Sequence, residues 1–80
     1  MNIWTVYILK GNDLSHYVGC TSNFVERLAR HQKGQVTSTK YRLPLSPITK
    51  IEFTDKYKAF EFEKYLKSGS GRAFMNKRLI

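Results

Sequence analysis

The sequence predicts an α+β fold, in which helices flank a small, mostly antiparallel three-stranded sheet in the order β-β-α-β-α-α. Two apolar, β-branched runs joined by turn residues open the chain. Segments with helix-capping signals and a further alternating run follow them. Because the chain has 80 residues, it can bury only a small core, and we treat residues 1–80 as a single domain.

The first two strands are predicted to form a hairpin. Residues 3–9 are a short β-branched and aromatic run, which is typical of a buried strand. Turn-forming residues occupy positions 11–13, and residues 16–20 are suited to the returning strand. This pairing would bring Tyr7 and Tyr17 near one another, although the sequence leaves their register open.

The first helix is predicted over residues 24–33, because Asn23 and Glu26 have capping-box spacing and Gly34 favours a helix end. Arg27 and His31 are four residues apart, so they share a stripe that we place at the border of the buried face. Residues 35–47 contain two prolines and form a loop long enough to be functional or mobile.

The second half is predicted to add one strand and two helices. Residues 48–53 alternate as a strand does, and Thr54 or Asp55 caps a helix over residues 56–67. The Ser-Gly-Ser-Gly run at 68–71 is expected to end this helix before a short terminal helix over 72–79. Glu63 lies on or beside the inward face of its helix, where it needs Arg27 or a lysine as a partner.

The charge of the chain indicates an anionic partner. Its 14 Lys and Arg against 6 Asp and Glu give a net charge of +8, which favours nucleic acid, although a merely basic surface is the alternative. A single cysteine excludes an internal disulfide and a cysteine zinc site, as expected for a cytoplasmic protein. No apolar run approaches the ~20 residues of a membrane helix, so we expect no membrane association.

Five side chains are the candidates for chemistry, because no phosphate-cradling glycine loop, HExxH motif or Ser/His/Asp set is present. Each has an ordinary explanation when taken alone: a core tyrosine, a surface arginine, a histidine at a helix end or a paired carboxylate. As a set they suit phosphodiester hydrolysis. The five are Tyr7, Tyr17, Arg27, His31 and Glu63.

Phosphodiester hydrolysis needs a cation, a proton acceptor and a group that neutralises the phosphate. Glu63 can hold Mg²⁺, which takes phosphate oxygens and water as further ligands. Arg27 can neutralise the charge that grows on the phosphoryl group. A phenol or an imidazole can accept a proton from the attacking water. Tyrosine has an ordinary pKa of about 10, so it acts as a base only where nearby cations favour the phenolate.

The order of these residues is similar to that of a known nuclease family. The chain resembles the GIY-YIG nuclease domain through two triplets and three later side chains: Thr5-Val6-Tyr7, Tyr17-Val18-Gly19, Arg27, His31 and Glu63. The closest resemblance is to small stand-alone bacterial proteins, predicted endonucleases that are similar to the nuclease domain of the excision-repair subunit UvrC. The first triplet departs from Gly-Ile-Tyr and the second from Tyr-Ile-Gly, but both tyrosines are kept.

The resemblance implies the same β-β-α-β-α-α fold and an endonuclease that needs Mg²⁺ or Mn²⁺. Nucleic acid is the implied substrate, with DNA expected, and repair or recombination is the implied setting. By this resemblance Tyr7 is the general base or positions the nucleophile, and Tyr17 assists it. Arg27 steadies the scissile phosphate, His31 contacts the phosphate or passes a proton, and Glu63 holds the metal. The competing interpretation is a non-catalytic nucleic-acid-binding module with a vestigial site.

The basic residues predict where nucleic acid would lie. The segment 64–80 carries only positive charges, and a Lys-Tyr-Arg triplet at 40–42 offers phosphate contacts and a stacking ring. The resemblance adds a glycine that allows close backbone approach and a late asparagine. The predicted contacts are Gly19, Lys40, Arg42, Lys67, Arg72 and Asn76. We expect low sequence specificity, or specificity supplied by a protein partner or by substrate shape, and the oligomeric state stays open.

Overall fold

A computed structural model describes residues 2–80 of the chain. Its elements are β1 (Trp4–Lys10), β2 (His16–Thr21), α1 (Phe24–Gln32), β3 (Ser46–Phe53), α2 (Lys56–Leu66) and α3 (Gly69–Arg78). The strands form one antiparallel sheet in the order β2-β1-β3. The predicted α+β class and the β-β-α-β-α-α order are confirmed. Within residues 2–80, no helix is both long and apolar enough to cross a membrane.

The central strand β1 separates two small cores, because its successive side chains point to opposite faces of the sheet. Val6 and Ile8 face α2 and α3, where they pack against Ala59, Leu66 and Met75. The opposite face carries Tyr7 and Leu9, which pack against α1 and the loop before β3 through Phe24, Leu28, Leu43 and Leu45. The first core is purely apolar, whereas the second contains the tyrosine side chains.

The hairpin register places both predicted tyrosines on the second face. Tyr7 lies opposite Gly19, and Leu9 lies opposite Tyr17. Tyr7 and Tyr17 are therefore diagonal neighbours, with ring centroids 6.3 Å apart. The predicted proximity of the two rings is confirmed.

The helix starts follow the predicted capping residues. The Asn23 side chain accepts a hydrogen bond from the Glu26 backbone N–H, and Asp55 accepts from the first turn of α2. Gly34 follows α1 with a φ of 74°, a backbone conformation that glycine adopts without strain. These polar caps satisfy N–H groups that have no partner inside the helix.

Two elements begin more than one residue away from the predicted start. β3 begins at Ser46 and includes Pro47, which a strand tolerates at the outer edge of a sheet because the missing N–H is not needed there. The helix break expected at the Ser-Gly-Ser-Gly run is present but shorter than predicted: the Ser68 side chain caps α3, and the glycines form the first turn of α3. This short junction turns α3 back beside the C-terminal end of α2, with Gly71 in close contact with the Tyr65 backbone.

Candidate active site

The Tyr7 phenol is the centre of the second core. Its side chain is only 1% exposed, and its hydroxyl lies 2.9 Å from Nε2 of His31. The ring packs against Phe24 with centroids 5.4 Å apart. A hydrogen-bonded phenol therefore lies inside an otherwise apolar and aromatic cluster, where an unpaired hydroxyl would be costly.

Gly19 makes room for the Tyr7 ring. A Cβ atom built at Gly19 would overlap the Tyr7 ring and hydroxyl, so the ring passes over the backbone of β2 only because this residue lacks a side chain. Gly19 itself is buried. A close approach at Gly19 is made by the Tyr7 side chain, and the nucleic-acid contact at Gly19 stays a prediction.

His31 is buried in the interior, and its predicted place at the border of α1 is wrong. The side chain has 0% exposure, because the loop after α1 folds over the C-terminal end of that helix and brings Thr39 onto the imidazole. Nδ1 of His31 lies 2.8 Å from the Thr39 hydroxyl. Direct contact between His31 and a phosphate does not fit this burial. His31 contacts both phenol rings, since its ring centroid lies 5.7 Å from that of Tyr7 and 5.1 Å from that of Tyr17, and its role at the phosphate or in proton transfer stays a prediction.

Arg27 lies one helical turn before His31 and acts on both phenols. Its interaction with the Tyr7 hydroxyl, and then the negative charges of ionised Tyr7 and Tyr17, raise the pKa of the guanidinium against the opposing effect of its burial. The Tyr7 hydroxyl forms its hydrogen bond with His31. Nε of Arg27 is buried without a hydrogen-bond partner among residues 2–80, so this donor is unsatisfied in the free protein.

Burial dominates the acidity of Tyr7. Desolvation, followed by the neighbouring Tyr17, raises the pKa of Tyr7 to about 12, although Arg27 acts in the opposite direction and Glu63 adds a smaller increase. Tyr7 is therefore protonated at neutral pH in the free protein. For Tyr7 to act as a base, further positive charge must enter the site and lower its pKa.

The raised pKa of Tyr7 predicts a loss of stability in alkali. Above about pH 10 the unfolded chain ionises at this tyrosine, whereas the folded state holds the proton until pH 12 or so. The free energy of unfolding should therefore fall by about 2–3 kcal/mol as the pH rises through this interval. Urea unfolding across the interval measures the fall. Tyr7→Phe should remove that share of it, and an unchanged slope in the variant would contradict the assignment.

Glu63 is on a helix that packs on the face of the sheet opposite to Tyr7. Its helix α2 packs on the Val6 face, yet the Glu63 charge raises the pKa of Tyr7 and, after burial, that of Cys20 on β2. The carboxylate is therefore within electrostatic range of both residues. Its predicted basic partner is Lys67, at 3.3 Å, rather than Arg27. The Glu63 side chain is 20% exposed, so the carboxylate remains open to solvent on one side.

The single carboxylate of the candidate site fits a hard divalent cation. Among residues 2–80, no three His, Cys, Asp or Glu side chains form a group that could hold a metal ion by themselves. Zinc sites use three or four such protein ligands, whereas Mg²⁺ is commonly held by one or two carboxylates together with substrate phosphates and water. Glu63, as a single half-buried carboxylate within electrostatic range of Tyr7, suits Mg²⁺ or Mn²⁺ and does not suit zinc.

A basic cavity adjoins Tyr17 at the β2 edge of the sheet. It has a volume of about 480 Å³ and lies between the hairpin and the junction of α2 with α3. None of its lining residues is acidic, within the part of the chain that the structure describes. The polar lining side chains are Ser15, His16, Tyr17, Arg42, Lys67, Arg72 and Asn76.

This cavity brings together four residues that were predicted as nucleic-acid contacts from three separate segments: Arg42, Lys67, Arg72 and Asn76. Lys40 is not part of the lining, since its ammonium group stacks on the exposed Tyr41 ring at 5.0 Å. His16 was missed, because a histidine at the start of a predicted strand carries no sequence signal of a cavity. Thr39 was missed for a similar reason: it lies in a polar run of the loop.

Comparison with known proteins identifies the family. The model of the GIY-YIG catalytic domain matches residues 3–78. The chain belongs to the GIY-YIG family. GIY-YIG domains are nuclease domains, so the family-level activity is hydrolysis of nucleic acid, and the two tyrosine triplets predicted this membership.

The GIY-YIG relatives include several UPF0213 proteins. The chain is 35% identical to the UPF0213 protein YsiG of Lactococcus lactis over 84% of its own length and 65% of that relative. It is 36% identical to a UPF0213 protein of Streptococcus pneumoniae over 78% of its length and 64% of that relative. The chain thus spans a little under two thirds of the length of these relatives.

A solved structure supports the GIY-YIG fold. The solution structure of a UPF0213 protein from Bacillus halodurans matches with a TM-score of 0.60 and 27% identity, over 94% of this chain and 83% of the other. The three-stranded sheet with its helices is therefore shared with a relative of similar size. The names of these relatives state no substrate.

Proposed function

We propose that this GIY-YIG domain, acting as a single unit over residues 1–80, is a divalent-metal-dependent endonuclease. Its substrate is nucleic acid, with DNA favoured, and its setting is DNA repair or recombination in the cytoplasm. The observation that carries the proposal is the convergence of Arg27 on two phenols beside a basic cavity. Such a site can hold a phosphodiester and oppose its charge.

Each side chain has a defined task in this proposal. Arg27 would donate from its guanidinium group to the scissile phosphate, and its charge favours the ionised form of Tyr7. Tyr7 accepts the proton of the attacking water, and Tyr17 positions that water or the phosphate with its hydroxyl. Glu63 would hold Mg²⁺ or Mn²⁺. When bound, the cation would neutralise phosphate charge and assist formation of the nucleophile.

The basic cavity supplies the remaining phosphate contacts. Arg42, Lys67 and Arg72 line it together with the Tyr17 ring, so a neighbouring nucleotide could place its phosphate among cations and its base on an aromatic face. These contacts would be made mainly to the nucleic-acid backbone, so they would distinguish poorly between bases. We therefore expect weak sequence preference and leave a role for substrate shape or for a protein partner.

A second candidate is a non-catalytic nucleic-acid-binding module. The pairing of Glu63 with Lys67 favours it. Among residues 2–80, Glu63 is the one carboxylate whose charge acts on Tyr7, and that charge is already neutralised in part. This candidate predicts that affinity falls steeply with salt, as counterion release requires. It also predicts that no divalent ion produces cleavage.

A nicking assay with a metal titration separates the two candidates. The protein is incubated with supercoiled plasmid, branched DNA, single-stranded DNA and RNA, in EDTA and across a series of Mg²⁺ and Mn²⁺ concentrations. We expect nicked product only with a divalent ion, and its loss when EDTA is added. Salt-dependent binding measured on the same substrates without any product would reject the enzyme and support the binding module.

A further inference from the structure

The basic cavity has an apolar floor that phosphate contacts do not explain. Val18, Leu66 and Met75 line it, and these side chains are 6%, 1% and 7% exposed. All three belong to the core on the Val6 face of the sheet, so the cavity ends on that core. A phosphate gains nothing from apolar surface, whereas a ring is stabilised by the apolar area that it removes from water. The floor therefore indicates a ligand that carries a ring as well as an anion.

Two guanidinium groups at the rim of the cavity are available to that anion. Arg42 lines the cavity, and its Nη1 donates a hydrogen bond to the Ser15 hydroxyl at 3.2 Å, which holds the group in place. Arg72 is exposed and forms no ion pair with a side chain of residues 2–80. Guanidinium groups bind phosphate oxygens through paired donors. The rim thus suits the phosphate of a ligand whose ring lies on the floor.

The cavity lies next to two residues of the candidate active site. Tyr17 lines it, and so does Lys67, whose Nζ is 3.3 Å from Oε2 of Glu63. We propose that the cavity binds one unstacked nucleotide of the substrate strand, with its base on the floor and its phosphate at the rim. This inference rests on the proposed function and names its substrate class: nucleic acid with an unpaired nucleotide close to the scissile phosphate.

The size of the cavity decides between a paired and an unpaired nucleotide. Its volume of about 480 Å³ is within the ~300–1,000 Å³ of pockets that bury a drug-sized ligand, and a nucleoside monophosphate is a ligand of that size. A base pair held between two backbones is too large to enter. The base must leave its stack, which is costly in a perfect duplex and least costly where the nucleotide is already unpaired. We therefore expect a duplex with an extrahelical nucleotide to bind better than a perfect duplex.

A free nucleotide offers the same ring and phosphate as a nucleotide of a strand. The position of the cavity favours the strand, because Tyr17 and the Lys67–Glu63 pair bring the cavity next to the proposed reaction centre. A nucleotide bound there is therefore close enough to be covalently continuous with the phosphate that is cleaved. A free nucleotide would need no such neighbours.

Equilibrium binding in EDTA tests the inference without cleavage. Three labelled DNA duplexes with the same flanking sequence are compared: a perfect duplex, a duplex with one extrahelical adenosine nucleotide, and the same duplex with an abasic residue at that position. The extrahelical base should raise affinity about 10-fold, as expected for one bound base. The abasic duplex keeps the bend and the extra phosphate, and it should bind like the perfect duplex. Equal affinities for the extrahelical base and the abasic residue would overturn the inference.

A matched pair of variants locates the base. Asn76→Trp should fill the cavity from its rim, because Asn76 lines it, and it keeps all three cations. Ser70→Trp adds the same ring to α3 at an exposed position that does not line the cavity. The preference for the extrahelical base should be lost in Asn76→Trp and kept in Ser70→Trp. An unchanged preference in Asn76→Trp, or an equal loss in both variants, would contradict the assignment of the base to this cavity.

Methyl NMR of the wild-type protein needs no variant and keeps the inference testable if Asn76→Trp does not fold. The ring current of a base on the floor should shift the methyl signals of Val18, Leu66 and Met75 with the extrahelical duplex and leave them unshifted with the abasic one. Deoxyadenosine monophosphate is the probe for a free nucleotide. Floor shifts with this probe, together with equal affinities for the extrahelical and abasic duplexes, would overturn the assignment to a strand.

The same measurements separate this inference from the nuclease. A preference for the extrahelical base in EDTA, without any product when Mg²⁺ or Mn²⁺ is added, would support the nucleotide site and reject the enzyme. Metal-dependent cleavage without that preference would support the enzyme and reject the nucleotide site.

Discussion

Glu63→Gln is expected to lower metal-dependent cleavage by at least about 100-fold, because it removes the carboxylate proposed to hold the cation. Glutamine keeps the size of the side chain and one carbonyl oxygen but loses the negative charge that a hard divalent ion requires. The fold should persist. The ion pair with Lys67 joins side chains that are 20% and 52% exposed, and such pairs contribute about 1 kcal/mol or less. Plasmid nicking against metal concentration measures the effect.

Glu61→Gln is the matched control for this prediction. Glu61 lies on the same helix but is exposed, and Glu63 rather than Glu61 contributes to the raised pKa of Tyr7. The control should nick at the wild-type rate. If Glu63→Gln cleaves as fast as the wild type, Glu63 is not the metal ligand. If both variants lose activity equally, the cause is the charge of α2 as a whole.

Much of the fold could be predicted from local sequence. The caps at Asn23 and Asp55, the hairpin turn and the alternating third strand all depend on interactions between residues close in the chain. The start of α3 could not be read in this way, because glycines usually weaken helices. Here Ser68 supplies the cap, and the close packing of Gly71 on Tyr65 requires a residue without a side chain.

The candidate site was only partly predictable, because it depends on strand register and on contacts between residues far apart in the chain. Tyr7 and Tyr17 follow from strand pairing, but the placement of the Tyr7 ring over Gly19 depends on a register that the sequence leaves open. His31 has a border position on α1 by helical periodicity. It becomes fully buried because a distant loop residue, Thr39, packs on it.

The placement of the loop between α1 and β3 also explains why the cavity could not be predicted. The backbone N–H of Asn12 donates to the Arg42 carbonyl at 2.8 Å, which holds the loop beside the hairpin and brings Arg42 toward the α2–α3 junction. Charge counts indicated a basic surface, but no local pattern could show that Arg42 meets Lys67 and Arg72 while the neighbouring Lys40 does not. Long-range contacts of this kind carry no signal in a single sequence.

Arg27→Ala is expected to lower kcat about 100- to 1000-fold, since it removes the donors that would oppose the charge on the phosphate. It should also raise the pKa of Tyr7 further, because Arg27 now lowers it. The base would then be harder to ionise, and the pH–rate profile should shift to higher pH. Arg27→Lys should recover part of kcat, because an ammonium group keeps the charge but not the planar pair of donors.

Arg30→Ala is the matched control for Arg27→Ala on the same helix. Arg30 is exposed and approaches Glu26 at 3.9 Å, so its removal should leave kcat within about threefold of the wild type, as expected for a screened surface charge. Arg27→Ala should affect kcat more than substrate binding, because the one lysine and two arginines of the cavity remain. Equal losses in the two variants would show that net charge, rather than the position of Arg27 against the two phenols, determines the rate. If Arg27→Ala weakens substrate binding without lowering kcat, Arg27 contacts the nucleic-acid backbone only. The proposed action of Arg27 on the two phenols would then be contradicted.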